Sequence, residues 1–426
     1  MKSIVDQLFE RSHIMIDLVK NYSTLGRRMK KSVIRELLSL TSKPGIISFA
    51  GGLPSSEGFP VKDIAEITEH ILKTEPERAL QYGETEGYPK LRAQLVDWMK
   101  REGLKISDEN IIVTVASQQG LDLTMKIFVD PSDPVLVELP SYIGGLQSLT
   151  SYGARMIGVP IDEDGMKVDV LEARLKELRE EGEHYKLIYI VPDFQNPSGV
   201  TLSLERRKRL IEIAQLFEVI IIEDTPYREL RFEGEEPPSL YNLDTTGNVI
   251  SLHTFSKILV PGLRIGWVVG NRDIIRKIAV AKQSVDLCTP NFTQAIAAEY
   301  MRRGLLEPHI EKIKVIYKKK KDAMLDALET HMPEVEGLSW TKPQGGLFLW
   351  MQLPDYMDTD VMFYEAIEKK VAYVIGSAFH CDGAGKNTFR LNFSFPSEEE
   401  IVEGIKRLSE VIKSKLRKET FSVSSK

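Results

Sequence analysis

From about Ile111 onward the chain repeats one rhythm: a short run of Val and Ile, a stretch with helical spacing, then another run. "IIVTV" (111–115), "PVLVEL" (134–139), "YKLIYIV" (185–191), "FEVIIIED" (217–224), "NVISLH" (248–253) and "RIGWVVG" (264–270) read as strands. The apolar residues run continuously and do not alternate, so these strands are expected to be buried on both faces. Helical patterns between them, such as the one through Phe128 and another near 142–152, predict parallel crossovers and a large α/β domain. After about residue 310 the texture changes. A lysine-rich helical pattern covers Ile313 to Leu328, and "GGLFLWMQL" predicts a strand. Ile401, Ile405, Leu408 and Ile412 fall on one helix face that must pack on something. This predicts a second, smaller α/β domain, made of the C-terminal part plus N-terminal residues returning to it. Residues 1–40 read as helical and partly basic. The stretch 43–60, punctuated by Gly and Pro, reads as loop, and the terminal "KETFSVSSK" as a frayed tail.

Composition narrows the class. A chain of 426 residues, 42% of them apolar, is long enough for two or three cores. Its 56 basic and 62 acidic residues give a net charge of -6, which argues against nucleic acid as a partner. Cys288 and Cys381 are far apart and form no CxxC pair. A disulfide framework and a zinc site are therefore not expected, and a reducing cytoplasm suits the chain. No apolar run approaches the roughly 20 residues of a membrane span. The N-terminal "IMIDLV" is short and interrupted by Asp17, so no signal peptide is expected. No GxGxxG follows a strand and no HExxH occurs, which leaves a nicotinamide dehydrogenase or a metal hydrolase with little support.

Ligands of open parallel sheets gather at the carboxyl ends of strands. "IIVTV" opens there into "ASQQG", where Ser117, Gln118 and the following N–H groups can form a phosphate nest, or Ser117 can simply cap a helix. "VIIIED" ends in Asp224, with Tyr227 just beyond; a carboxylate at the end of a buried strand is costly unless paired. "VPDFQNPSG" holds Asn196-Pro197, which on its own reads as a turn. "SLHTFSK" carries Lys257 among Thr254, Ser256 and, a little later, Arg264. Two hydroxyls and a guanidinium fork suit a phosphate dianion. A lysine beside such a site can bind an aldehyde cofactor that the phosphate anchors.

Further stretches follow in chain order: "IRELLSLTSKPGIISFAGGLP", "QYGETEGYPKLR", "ASQQGLDL", "PSYIGGL", "PDFQNPSG", "EDTPYREL", "TFSKILVPGLRIGW", "KPQGGLFLWM" and "RLNFSF". In this order, over about residues 30–415, they resemble the fold type I aminotransferases that use pyridoxal 5′-phosphate. Within these the chain is most similar to the 2-aminoadipate and kynurenine aminotransferase group. The resemblance implies an α/β, aspartate-aminotransferase-like fold. Residues 1–60 would give an N-terminal arm and part of the small domain, 61–310 the large coenzyme-binding domain, and 311–426 the C-terminal small domain. It implies that Lys257 bonds to the coenzyme aldehyde and moves the proton, that Asp224 faces the pyridine nitrogen, and that Tyr227 and Asn196 bond the phenolic oxygen. Tyr142 stacks on the ring. Ser117, Gln118, Thr254, Ser256 and Arg264 hold the phosphate, with Tyr82 reaching it from a second subunit of an obligatory homodimer. Arg390 takes the substrate α-carboxylate, Gly52 lines the pocket, and Arg35 contacts a distal carboxylate. Thr254 stands where the family usually has Ser and keeps the hydroxyl. Asn196-Pro197 is expected to be cis. The implied reaction moves an amino group from an L-amino acid (2-aminoadipate, glutamate, aromatic or branched-chain) to a 2-oxo acid such as 2-oxoglutarate. A lyase or decarboxylase on the same fold, or a ligand-sensing protein without turnover, are the alternatives. A regulator joined to a winged helix is not expected, because the N-terminal extension is short.

Overall fold

The computed structural model describes residues 18–29 and 45–416. Two short helices, Leu18–Asn21 and Thr24–Arg28, precede a short strand, β1 (Ile47–Ser48). The main sheet follows, built from β2 (Ile111–Thr114), β3 (Pro134–Leu139), β4 (Arg155–Asp162), β5 (Gly165–Met166), β6 (Leu187–Ile190), β7 (Ile220–Asp224), β8 (Val249–Thr254) and β9 (Gly266–Val269). These eight strands lie in the order β2-β9-β8-β7-β6-β3-β4-β5. Every residue of β2, β6, β8 and β9 is buried, as their unbroken Val/Ile runs predict. β4, β3, β6, β7 and β8 pair in parallel, with crossover helices between successive strands except β7 and β8, whose link holds only a short helix at Leu240–Leu243.

β9 departs from the expected parallel pattern. It is antiparallel to both β8 and β2. No crossover helix separates β8 from β9, and the loop through Lys257 merely reverses the chain, a connection that only antiparallel neighbours can use. β4 is absent from the sequence reading because it lies near the sheet's edge, half-exposed, with Arg155, Gly158 and Pro160 interrupting its apolar pattern.

The C-terminal part adds β10 (Ser339–Trp340), β11 (Phe348–Gln352), β12 (Val371–Ala372), β13 (Val374–Ile375) and β14 (Thr388–Asn392). Four of them build a second, antiparallel sheet in the order β10-β11-β14-β13. β1 pairs in parallel with β12, so the segment before residue 60 does return to the C-terminal part. The described helices of ten or more residues are numbered α1 (Val61–Thr74), α2 (Pro89–Arg101), α3 (Ala116–Phe128), α4 (Ile143–Tyr152), α5 (Val168–Glu180), α6 (Leu204–Phe217), α7 (Arg272–Gln283), α8 (Asn291–Arg302), α9 (Leu306–His331), α10 (Thr359–Glu368) and α11 (Glu398–Lys415). α11 opens with a capping box between Ser397 and Glu400, and buries Ile401, Ile405, Leu408 and Ile412 fully. Two lysines of α9 are buried rather than solvated: Lys320 donates to Ser55 and Ser394, and Lys321 pairs with Glu233 at 2.7 Å. Among the described residues no helix is long and apolar enough to cross a membrane.

Candidate active site

Strands β6, β7 and β8 end on one edge of the sheet, and β2 ends beside them because it too is antiparallel to β9. The strand-end motifs therefore converge. At the end of β8, the Thr254 hydroxyl donates to Ser256 Oγ at 2.9 Å, and the Arg264 guanidinium reaches the same oxygen at 3.4 Å. Arg264 has φ +54°, the left-handed turn that sends the chain back into β9. Gly266, opposite Thr254, presses on the start of α3: a Cβ there would lie 2.6 Å from the Ser117 backbone nitrogen. Ser117 is not the helix cap, since Val115 holds that position without a side-chain bond; it belongs to the first turn. The result is a concentration of donors: two hydroxyls, a guanidinium, and helix-end N–H groups that have no intrahelical partner.

Gln118 spends its side chain elsewhere. Its amide donates to Gly144 O and Ser148 Oγ and accepts from the Tyr142 hydroxyl at 3.3 Å, leaving only its backbone N–H at the helix end. Tyr142 is thereby fixed, and burial followed by the nearby Asp224 charge pushes its hydroxyl up to about 12.

Asp224 closes β7. One carboxylate oxygen accepts from the Tyr189 hydroxyl at 3.0 Å; the other, Oδ1, is buried without a partner. Burial raises this acid to about 7 against the pull of the Tyr189 bond. Tyr189 escaped the sequence reading, although a tyrosine in an otherwise aliphatic buried run signals a hydroxyl that needs a partner. Asn196 follows β6 in a turn whose Asn196-Pro197 bond is cis, as expected. Its Nδ2 donates to the Tyr227 hydroxyl at 3.2 Å, and its Oδ1 accepts from Arg390 at 2.7 Å. Arg390, on β14, also donates to Ala50 O at 2.9 Å and lies over the rings of Phe348 and Phe379. Its Nε is buried and unpartnered, and burial lowers the guanidinium to about 10. Lys257 Nζ donates to Gly52 O at 2.8 Å. Burial, then Arg390 and Arg264, lower this amine to about 8. Tyr82 stands apart, 80% exposed. Arg35 lies outside the described residues.

An amine lowered to about 8, an acid with a free buried oxygen, a pocket rich in donors at the strand ends of the main sheet, and a clamped arginine from the second sheet define a coenzyme-dependent transferase site. Residues 46–408 match the family of class I and II aminotransferases, and the chain belongs to that family. It is a pyridoxal-phosphate-dependent aminotransferase. It is 48% identical to aromatic-amino-acid aminotransferase 1 of Thermococcus litoralis over 95% of this chain and 96% of that one. The structure is similar to Pyrococcus horikoshii kynurenine aminotransferase, solved with PMP (TM-score 0.91, 48% identity, 94% of this chain and 99% of that chain). It is also similar to the alpha-aminoadipate aminotransferase LysN of Thermus thermophilus, solved with N-(5'-phosphopyridoxyl)-L-leucine (TM-score 0.86, 38% identity, 94% of this chain and 99% of that chain).

This chain's own geometry fits the coenzyme. The orphaned Asp224 Oδ1 offers an acceptor for a ring N–H, and the hydroxyl–guanidinium–helix-end pocket matches a phosphate in charge and donor count.

Proposed function

We propose that this chain transfers the amino group of an L-amino acid to a 2-oxo acid such as 2-oxoglutarate by a ping-pong cycle. The donors are 2-aminoadipate, glutamate, aromatic or branched-chain amino acids. Aromatic donors come first for assay, because relatives at 48% identity are named for aromatic amino acids and kynurenine. The observation that carries the reading is that Lys257 and Asp224, at strand ends of the main sheet, meet Arg390 of the second sheet, which bonds Asn196, itself bonded to Tyr227.

When bound, pyridoxal phosphate supplies the electron sink for the substrate's Cα–H electrons and the carbon that receives nitrogen. The chain supplies the rest. Lys257, its amine lowered to about 8, is the base that takes the Cα proton and the acid that returns one. Asp224 keeps the ring nitrogen protonated, Tyr227 and Asn196 hold the phenolic oxygen, and Tyr142 covers the ring. Ser117, Gln118, Thr254, Ser256 and Arg264 hold the phosphate. Arg390 exchanges its bonds to Asn196 and Ala50 for the substrate α-carboxylate, a bidentate pairing that orients the Cα–H bond. Gly52 lines the pocket, and Arg35 answers a distal carboxylate. The exposure of Tyr82, with Leu80, Val285 and Leu287 also exposed, supports a homodimer in which Tyr82 reaches the other subunit's phosphate. Two unpaired cysteines support a cytoplasmic setting.

The test is a panel of L-amino acids with 2-oxoglutarate, following keto acid and glutamate and, separately, ammonia. Equal formation of keto acid and glutamate with parallel double-reciprocal plots supports the reading. Ammonia or carbon dioxide without glutamate overturns it.

A further inference from the structure

The site rests on a buried acid that the reaction does not use. Glu138, at the carboxyl end of β3, is 2% exposed, and no cation pairs with it among the described residues. A carboxyl group in such a place costs several kcal/mol unless its bonds repay it. Its bonds lead in one direction. Oε2 accepts from the Val191 backbone N–H at 2.9 Å and from the Gln195 side chain at 3.2 Å. The Gln195 amide also donates to Pro140 O at 2.7 Å, while its oxygen accepts from both the Ser198 N–H and the Ser198 hydroxyl, at 2.9 and 2.6 Å. Every bonding position of that amide is filled. The turn so held spans Asn196, and its far end is wedged: Gly199 has φ +74°, and a Cβ there would come 2.5 Å from the Phe348 carbonyl.

From this geometry we infer that Glu138 and Gln195 are positioning residues. As a unit they lock the turn that carries Asn196, and through Asn196 they set the alignment of Arg390 and Tyr227. The inference rests on the aminotransferase reading above. It gives the buried polar pair a role: one residue beyond Gln195, a small displacement would move the groups for substrate and coenzyme together. Burial pushes the Glu138 carboxyl up to about 8, so glutamine is a close stand-in for its neutral form.

The experiment compares Glu138→Met, Gln195→Met, the double variant and Glu138→Gln in the coenzyme-loaded enzyme. It follows KM and kcat for the amino donor, the pH midpoint of the bound coenzyme's visible absorption, and the melting temperature. Each methionine variant is expected to raise KM ~10-fold or more and to shift the absorption midpoint. The double variant should be no worse than the poorer single one, because both break one unit. Glu138→Gln should recover most of the KM. Should a methionine variant fail to fold, the Glu138→Gln variant still decides through its absorption midpoint, which should match the wild type. The inference is overturned by methionine variants whose KM and absorption midpoint match the wild type while only melting falls. It is equally overturned by losses that multiply in the double variant, or by a shifted midpoint in Glu138→Gln. A wild-type enzyme that binds no coenzyme would instead overturn the aminotransferase reading.

Discussion

Lys257 and Asp224 are each pushed toward their uncharged form by burial, and the effect on Lys257 is measurable without a substrate. In apoprotein, acylation of Lys257 by a neutral reagent, followed by mass spectrometry, should rise with pH through a midpoint of about 8, well below surface lysines. Only the unprotonated amine reacts, and burial with two nearby guanidinium groups disfavours the ammonium form. Removing one of those cations by Arg390→Ala should move the midpoint upward; a midpoint that stays or falls would contradict the electrostatic account. Asp224→Asn removes the charged acceptor. Loss of one charge-assisted hydrogen bond, about 1.5–3 kcal/mol, predicts coenzyme affinity weaker by ~10- to 100-fold on titration. At this scale the sequence was a good guide wherever a residue stood at a strand end: Lys257, Asp224, Asn196 and Ser117 all lie where the strand-end rule put them. Tyr189, Glu138 and Gln195 were not legible. Their partners are Asp224, Val191 and Pro140, and such pairings depend on which strands become neighbours.

Among the elements, β9 and α3 must touch closely for the phosphate pocket to form. Gly266 is the point of contact, and a methyl there would strike the backbone atoms of Ala116, Ser117 and His253, which cannot rotate away. Gly266→Ala should therefore lower stability by about 1–3 kcal/mol and weaken coenzyme binding, read by melting and by titration. Unchanged affinity would show that the pocket does not depend on this contact. Strand existence was readable from the Val/Ile runs, and so was α11 from its apolar stripe. The direction of β9 was not, because the length of the connection decides it: the turn through Lys257 and Arg264 lacks a crossover helix. Nor was β4, whose edge position frees it from the buried pattern.

For the whole molecule, the large sheet was legible in the Val/Ile runs and the second sheet lies beyond the change of texture near residue 310, whereas β1, which pairs with β12, falls in the Gly- and Pro-punctuated stretch read as loop. The homodimer is what the resemblance implies and is part of the proposal; the single chain shows that Leu80, Tyr82, Val285 and Leu287 lack cover. The shared-site proposal makes a sharp prediction. Lys257→Ala and Tyr82→Ala chains, each impaired alone, should regain activity when refolded together, because the mixed dimer holds one site with both groups intact. No recovery in verified mixed dimers would place Tyr82 outside the partner's site.

The central claim is that one amine carries the coenzyme. Purified holoprotein should be reduced with borohydride, digested and mapped by mass spectrometry. The account predicts a pyridoxyl group on Lys257, and its absence, with loss of the coenzyme's visible absorption, in Lys257→Ala. A pyridoxyl group on another lysine, or on none, would contradict it.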